Sequence, residues 1–69
     1  MYTYNVILHY QPHTDCAAKP YMLTNVIGDN ENEAIKVVQD AMAEFFRRAN
    51  RTRQEIIDAI SIKSVTLAI

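Results

Sequence analysis

Four arginines fall within seven residues, with no acidic side chain between them: Arg47, Arg48, Arg51 and Arg53. Guanidinium groups bind phosphates, and they also bind carboxylates through two parallel hydrogen bonds. The cluster therefore predicts contacts with a nucleic acid or with an acidic group of a protein partner. It is equally consistent with a solvated helix end, where positive side chains offset the negative end of the helix dipole. Of the two binding roles, protein contact is favoured, because no aromatic residue interleaves with the arginines and the net charge is −1.

A second group of reactive side chains lies near the first proline and contains His9, His13, Asp15 and Cys16. These residue types bind zinc or copper, but their spacing matches no common zinc pattern and the cysteine has no second cysteine beside it. A nucleophilic pair of Cys16 and His13 would need an orienting third group and a pocket, which so small a scaffold hardly offers. We therefore expect a polar loop with a free thiol, and no bound metal.

The remaining candidates for chemistry are carboxylates, and they do not converge on one place in the sequence. Glu31 and Glu33 stand where a helix begins, and Asp40 and Glu44 stand on its solvent side. General acid and base catalysis requires two such groups held in one cleft with separated pKa values. A chain with one glycine also lacks a glycine-rich phosphate loop. We expect no enzyme, no catalytic residue and no cofactor.

Length and composition predict one small domain over residues 1–69. The chain is 49% hydrophobic and contains a single cysteine, so it should fold without a disulfide, which favours a cytoplasmic protein. The segment Met1–Tyr10 lacks the basic start and apolar run of a secretory signal. No run approaches the roughly 18 apolar residues of a membrane-spanning helix. We expect neither secretion nor a membrane partner.

Alternation of bulky and polar residues predicts two strands in the first half of the chain. Tyr2–Tyr10 alternates aromatic and β-branched residues with polar ones, which is typical of a strand with one buried face. Gln11–Pro20 breaks this pattern and predicts a long hairpin connection. Tyr21–Ile27 resumes it as the second strand.

The middle of the chain predicts one long amphipathic helix. Asn30 followed by Glu33 is the pattern of a capping box, in which each side chain satisfies an exposed backbone amide. Apolar residues then recur at spacings of three and four: Ala34, Ile35, Val38, Ala41, Met42, Phe45, Phe46 and Ala49. We expect the helix to fray near Asn50.

The last third predicts a short helix and a third strand. Thr52 stands three residues before Glu55, a second capping pattern that opens a short helix over residues 53–59. Alternation over residues 61–69 then predicts a strand with Val65, Leu67 and Ile69 on one face. Ile60 and Ile62 are out of phase with that face, which indicates a bulge, a turn or burial on both faces.

These elements predict an α+β fold of order β-β-α-β, with the long helix on one face of a three-stranded, mainly antiparallel sheet. One helix covers one face of such a sheet. The alternation assigns Ile7, His9, Tyr21, Leu23 and Ile27 to the other face, which is too apolar for a purely solvated surface. We therefore expect a protein partner or a homodimer on that face.

The residues from Thr24 to Ile35 end a strand in a short turn and open a helix on Asn-Glu-Ala. This stretch and the element order resemble small phage-encoded inhibitor proteins, among them the phage T7 inhibitor of host RNA polymerase and anti-CRISPR-type proteins. The resemblance implies a small protein that works by occupying a surface on a larger one. No functional residue carries over, because the contacting arginines of the polymerase inhibitor lie in a loop and those of this chain follow a helix.

The sequence as a whole favours a noncatalytic protein-binding module, of phage or mobile-element origin, that inhibits or modulates a host macromolecule. Its contacts would combine the apolar strand residues with the arginines at the rim. The alternative is a small nucleic-acid-binding protein that uses the arginines against phosphates, in a monomer or a dimer. A third and weaker interpretation is a metal-responsive domain centred on His9, His13 and Cys16.

Overall fold

The computed structural model describes residues 1–47 and 51–68. The elements in chain order are β1 (Tyr2–Tyr10), β2 (Lys19–Gly28), α1 (Glu31–Phe45), α2 (Arg53–Asp58) and β3 (Ile60–Leu67). The predicted α+β fold is confirmed, including the short helix before the last strand. Arg48 and Ile69 lie outside the described residues, and so does Asn50, near which the helix is predicted to fray.

The sheet has the order β2-β1-β3, so the first strand is central and the other two are its edges. Both edge strands run antiparallel to β1 and therefore parallel to each other. A parallel relationship requires a crossover connection. The two helices supply it, and they cover one face of the sheet on the way.

Strict alternation along β1 builds the floor of the core. Tyr4, Val6, Leu8 and Tyr10 are buried, and the residues between them are more exposed. Since successive side chains of a strand point to opposite faces, these four residues face the helices, as the sequence predicts.

The second strand changes its facing residues partway along, and this corrects the sequence-based assignment. Tyr4 pairs with Val26 but Val6 pairs with Leu23, so β2 holds one more residue than β1 between these pairs. Asn25 in this bulge has a φ of 57°, a left-handed conformation that asparagine tolerates well. The bulge places both Tyr21 and Leu23 on the core side together with Val26. The prediction that Tyr21 and Leu23 lie on the outer face, away from the helices, was wrong.

The third strand contains the predicted irregularity in the form of a bulge. Ile7 pairs with Ser64 and Leu8 with Ile62, which leaves Lys63 as the extra residue on β3. Ile60 and Ile62 on one side of this bulge and Val65 on the other therefore all pack against the core.

The long helix begins where the sequence predicts, with one difference in its cap. The Glu33 backbone N–H donates to Asn30 Oδ1 at 2.9 Å, and the Glu33 carboxylate accepts from the backbone N–H of Asp29, one residue before the cap, at 2.9 Å. Gly28 lies directly behind this turn. A Cβ atom at Gly28 would stand 2.9 Å from the backbone nitrogen of Ala34, so the end of β2 meets α1 too closely for a side chain.

The short helix α2 completes the layer of helices above the sheet. Its predicted capping box is confirmed, with Thr52 and Glu55 each accepting the other's backbone N–H. Ile56 is fully buried in the shared core, and the Arg53 guanidinium pairs with the Asp40 carboxylate of α1. The core between the helices and the sheet therefore draws on every element.

Candidate binding surfaces

The outer face of the sheet is less apolar than the alternation of the sequence predicts. The pairing register aligns Ile7 with Met22 and His9 with both Pro20 and Ser61. The other residues of this face are Thr3, Asn5, Ile27, Ser64 and Thr66. No described element covers it, and its two predicted contact residues Ile7 and His9 do lie there. With Tyr21 and Leu23 removed to the core side, hydroxyl and amide side chains occupy much of this face.

A second exposed apolar surface, besides Ile7, Met22 and Ile27 on the outer sheet face, runs along α1 on the side of β2. Val37, Ala41 and Phe45 are spaced by four residues and form one row on the helix, and Phe45 is 71% exposed. The apolar spacing predicts Ala41 and Phe45 in the stripe that faces the core, but the helix turns Val38 and Met42 to the core and leaves this neighbouring row exposed to solvent. The regular spacing of four was the signal that could have identified it.

A groove lies between this row and the edge strand. Its walls are Tyr21, Met22 and Leu23 of β2 and Ala41, Met42 and Phe45 of α1, and its volume is about 240 Å³. We call this hollow the β2 groove. Every lining side chain is apolar or aromatic, so it is suited to receive apolar groups. Tyr21 and Leu23, predicted as partner contacts, therefore line a surface hollow on the helix side of the sheet.

Three of the four arginines surround one cleft between α1 and α2, of about 290 Å³. Arg47, Arg51 and Arg53 line it together with two carboxylates and two apolar residues: Asp40, Glu44, Ala43 and Ile56. We call it the arginine cleft. Arg47 pairs with Glu44 at 3.2 Å, and Arg53 pairs with Asp40. Three arginines against two carboxylates leave a formal excess of one positive charge.

Arg51 joins the arginine cleft to the loop between β1 and β2. Its guanidinium nitrogen lies 2.6 Å from His13 Nε2. Since a guanidinium only donates, this nitrogen of His13 is the acceptor of the contact. The loop is further held by the Gln11 side chain, which donates to the Cys16 carbonyl at 2.7 Å. The contact orders two segments that are 38 positions apart in the chain.

The structure assembles no metal centre from the described residues. No three His, Cys, Asp or Glu side chains in that part of the chain stand close enough together to hold an ion. His9 is on the outer sheet face, His13 contacts Arg51, and Cys16 is an exposed thiol in the loop. Neither described helix is long and apolar enough to cross a membrane.

Comparisons with known proteins give no relative from which a role could be transferred. No family model, no curated protein and no solved structure matches the chain.

Proposed function

We propose that this chain is a noncatalytic protein-binding module, which acts by occupying a surface of another macromolecule. The observation that carries the proposal is the exposed apolar row of Val37, Ala41 and Phe45 beside the β2 groove. Single apolar side chains on a surface are ordinary, whereas a contiguous row next to an apolar hollow is typical of an interaction site.

The position of Phe45 supports this function. Its neighbour Phe46 packs against the core, and the two rings meet edge to face with centroids 4.9 Å apart. Phe45 stays 71% exposed at the mouth of the groove. Burial of a side chain of this size stabilises by about 1.5–3 kcal/mol. In the isolated chain Phe45 gains little of this stabilisation, because it is mostly exposed. A partner that covers Phe45 would gain it as binding energy.

Charged side chains near the apolar row give the surface a polar rim. Glu44 and Arg47 flank Phe45 and Phe46 in the sequence, form an ion pair and are mostly exposed. Interfaces commonly combine an apolar centre with such a rim, which contributes orientation and association rate more than affinity. We propose that the arginines orient the partner and that the groove holds it.

The kind of partner follows from the resemblance to small phage-encoded inhibitors. It implies a host macromolecule in the cytoplasm that this protein inhibits or modulates. A homodimer through the same row is the competing occupant. The phage origin, the compartment and the dimer stay predictions.

Affinity capture from the lysate of the native cell tests the proposed function. The bait is the intact protein, compared with Phe45→Ser at the groove and with Leu67→Ser, a matched change at an exposed leucine near the end of β3. We expect one specific protein that the Leu67 variant retains and the Phe45 variant loses. Capture of the same proteins by all three baits would contradict the proposal, and light scattering of each variant reports self-association.

Nucleic-acid binding is the second candidate, because Arg47, Arg51 and Arg53 converge on one cleft. The two carboxylates in the cleft offset most of this charge, and for that reason we rank it second. Affinity for DNA or RNA that falls steeply from 50 to 200 mM salt, and that weakens in Arg51→Gln, would favour this function.

A further inference from the structure

The free edge of β2 is open over a short stretch only. Pro20 has no backbone N–H to offer a partner strand, and the bulge at Asn25 turns the backbone out of the strand conformation. Between them lies Tyr21–Thr24. Four residues of strand extend about 13 Å. The edge therefore suits a short extended segment better than a whole strand from a second copy of this chain.

The β2 groove reaches this open edge. Met22 belongs to the outer face of the sheet and is 61% exposed, whereas Tyr21 and Leu23 pack on the core side. Because side chains from both faces of β2 line the β2 groove, the groove lies along the edge of this strand, where the two faces of the sheet meet. A chain that pairs with the edge would thus place every second side chain beside Ala41 and Phe45 of α1.

A second hollow of about 200 Å³ continues past Tyr21, which lines both. Its walls include Tyr10, Phe46 and Lys19. Each hollow is smaller than the roughly 300–1,000 Å³ typical of small-molecule pockets. Their size is better matched to single side chains presented in a row than to one compact ligand.

Lys19 is the only charged side chain among the described residues that line these two hollows. Within that part of the chain it has no carboxylate partner within 4.0 Å. It stands at the first residue of β2, next to the open stretch of edge. The charge that complements this end of the surface is therefore negative.

We propose that the β2 groove binds a short extended segment of a protein partner, which carries alternating apolar side chains and an acidic side chain at the Lys19 end. The segment adds a strand to the edge at Tyr21–Thr24, and its apolar side chains enter the hollows beside Phe45 and Tyr21. Backbone hydrogen bonds supply affinity in this mode and the side-chain pockets supply selectivity. The inference rests on the proposed function and specifies the chemistry of its partner.

Three capped peptides test the inference against the full-length protein labelled with ¹⁵N. Their sequence is acetyl-Leu-Thr-Leu-Thr-Z-amide, where Z is Asp, Asn or Lys, so that no terminal carboxylate is present. We expect amide shifts at Tyr21–Thr24 and Ala41. We also expect the Asp peptide to bind about two- to five-fold tighter than the Asn peptide, the ratio that an exposed ion pair supplies. Lys19→Gln should abolish that preference.

Two arginine substitutions locate the site. Ala41→Arg places a long side chain in the groove, and we expect it to abolish binding although its charge attracts the Asp peptide. Thr66→Arg adds the same charge on the outer sheet face and should leave binding unchanged. Equal affinity for all three peptides, shifts confined to the outer face, or no binding at millimolar concentration would overturn the inference. So would a dimer in light scattering that Ala41→Arg dissociates, because the occupant would then be a second copy.

The two proposals fail separately. If no peptide binds but the lysate partner is still lost with Phe45→Ser, the extended segment is wrong and the protein-binding function stands. If neither experiment shows binding, both are wrong.

Discussion

The ring of Phe46 lies nearly parallel to the ring of Tyr10, with centroids 4.1 Å apart and an angle of 9° between the planes. Phe46 is the residue that caps α1, and Tyr10 is the last residue of β1. Tyr21 of β2 meets the same Phe46 ring edge-on at 5.9 Å. One side chain thus joins the end of the helix to two neighbouring strands.

The two adjacent phenylalanines should differ sharply in their effect on stability. We expect Phe46→Ala to lower the free energy of unfolding by about 2–4 kcal/mol, near the range for buried aromatics, because it removes three aromatic contacts. Phe45→Ala should cost less than about 1 kcal/mol, because its side chain is mostly in solvent. Urea denaturation of both variants measures the difference. Equal losses would show that Phe45 is part of the core.

The element order was predictable because its signals are local. The helix follows from apolar residues three and four apart, and its start from Asn30 followed by Glu33. The bulge of β3 was visible because Ile60 and Val65 are out of phase. The bulge of β2 was not visible in the sequence, because Tyr21 and Ile27 fit an unbroken alternation. The left-handed backbone of Asn25 breaks that alternation and turns Tyr21 and Leu23 to the core side of the sheet.

The conformation of Asn25 predicts contrasting effects of two substitutions. Asn25→Gly should change the unfolding free energy by no more than a few tenths of a kcal/mol, because glycine adopts positive φ freely. Asn25→Val should destabilise by about 1–2 kcal/mol, since a β-branched residue is strained at a φ of 57°. Thermal unfolding of the pair measures both effects. A tolerated valine would mean that the bulge is absent.

Gly28 should tolerate no side chain. An added Cβ would lie 2.9 Å from the Ala34 nitrogen and 3.2 Å from the Asn30 carbonyl oxygen, both of which are backbone atoms. We expect Gly28→Ala to destabilise by about 1–3 kcal/mol through displacement of the first turn of α1. Ala18→Ser, in the exposed loop before β2, is a control that should have little effect. Amide exchange in the first turn of α1 should accelerate in the Gly28 variant alone.

The capping box of α2 predicts a dependence of stability on acid. The pKa of the Glu55 carboxyl is lowered from 4.5, first by the hydrogen bond from the Thr52 backbone N–H and next by the one from the Thr52 hydroxyl. The folded state thus prefers the ionised form. This contribution is complete above the unfolded pKa and is lost as the pH falls through the lower folded value.

A pH series of unfolding free energies for the wild type and Glu55→Gln measures this effect. The advantage of the wild type should be constant near neutral pH and should shrink below about pH 4.5 as the carboxylate is protonated. A difference between the two proteins that does not change with pH would contradict the assignment.

The arginine cleft was predictable only in part. Four arginines in seven residues are evident in the sequence, and the pair of Glu44 and Arg47 has the local spacing of three residues, but Asp40 pairs with Arg53 across 13 positions. The β2 groove was harder still, because it depends on which residues of β2 turn toward α1. Such long-range pairings arise from the tertiary fold, and no local pattern encodes them.

The bulge at Lys63 has a consequence for the opposite edge of the molecule. A three-stranded sheet with two unpaired borders is a template for edge-to-edge pairing with further copies, because each added copy would expose a fresh border. Lys63 puts a positive charge and a kink in the middle of one border, as Pro20 and Asn25 interrupt the other. Strand addition from a further copy is therefore opposed at both borders, while the short stretch Tyr21–Thr24 of β2 stays unpaired on its outer edge.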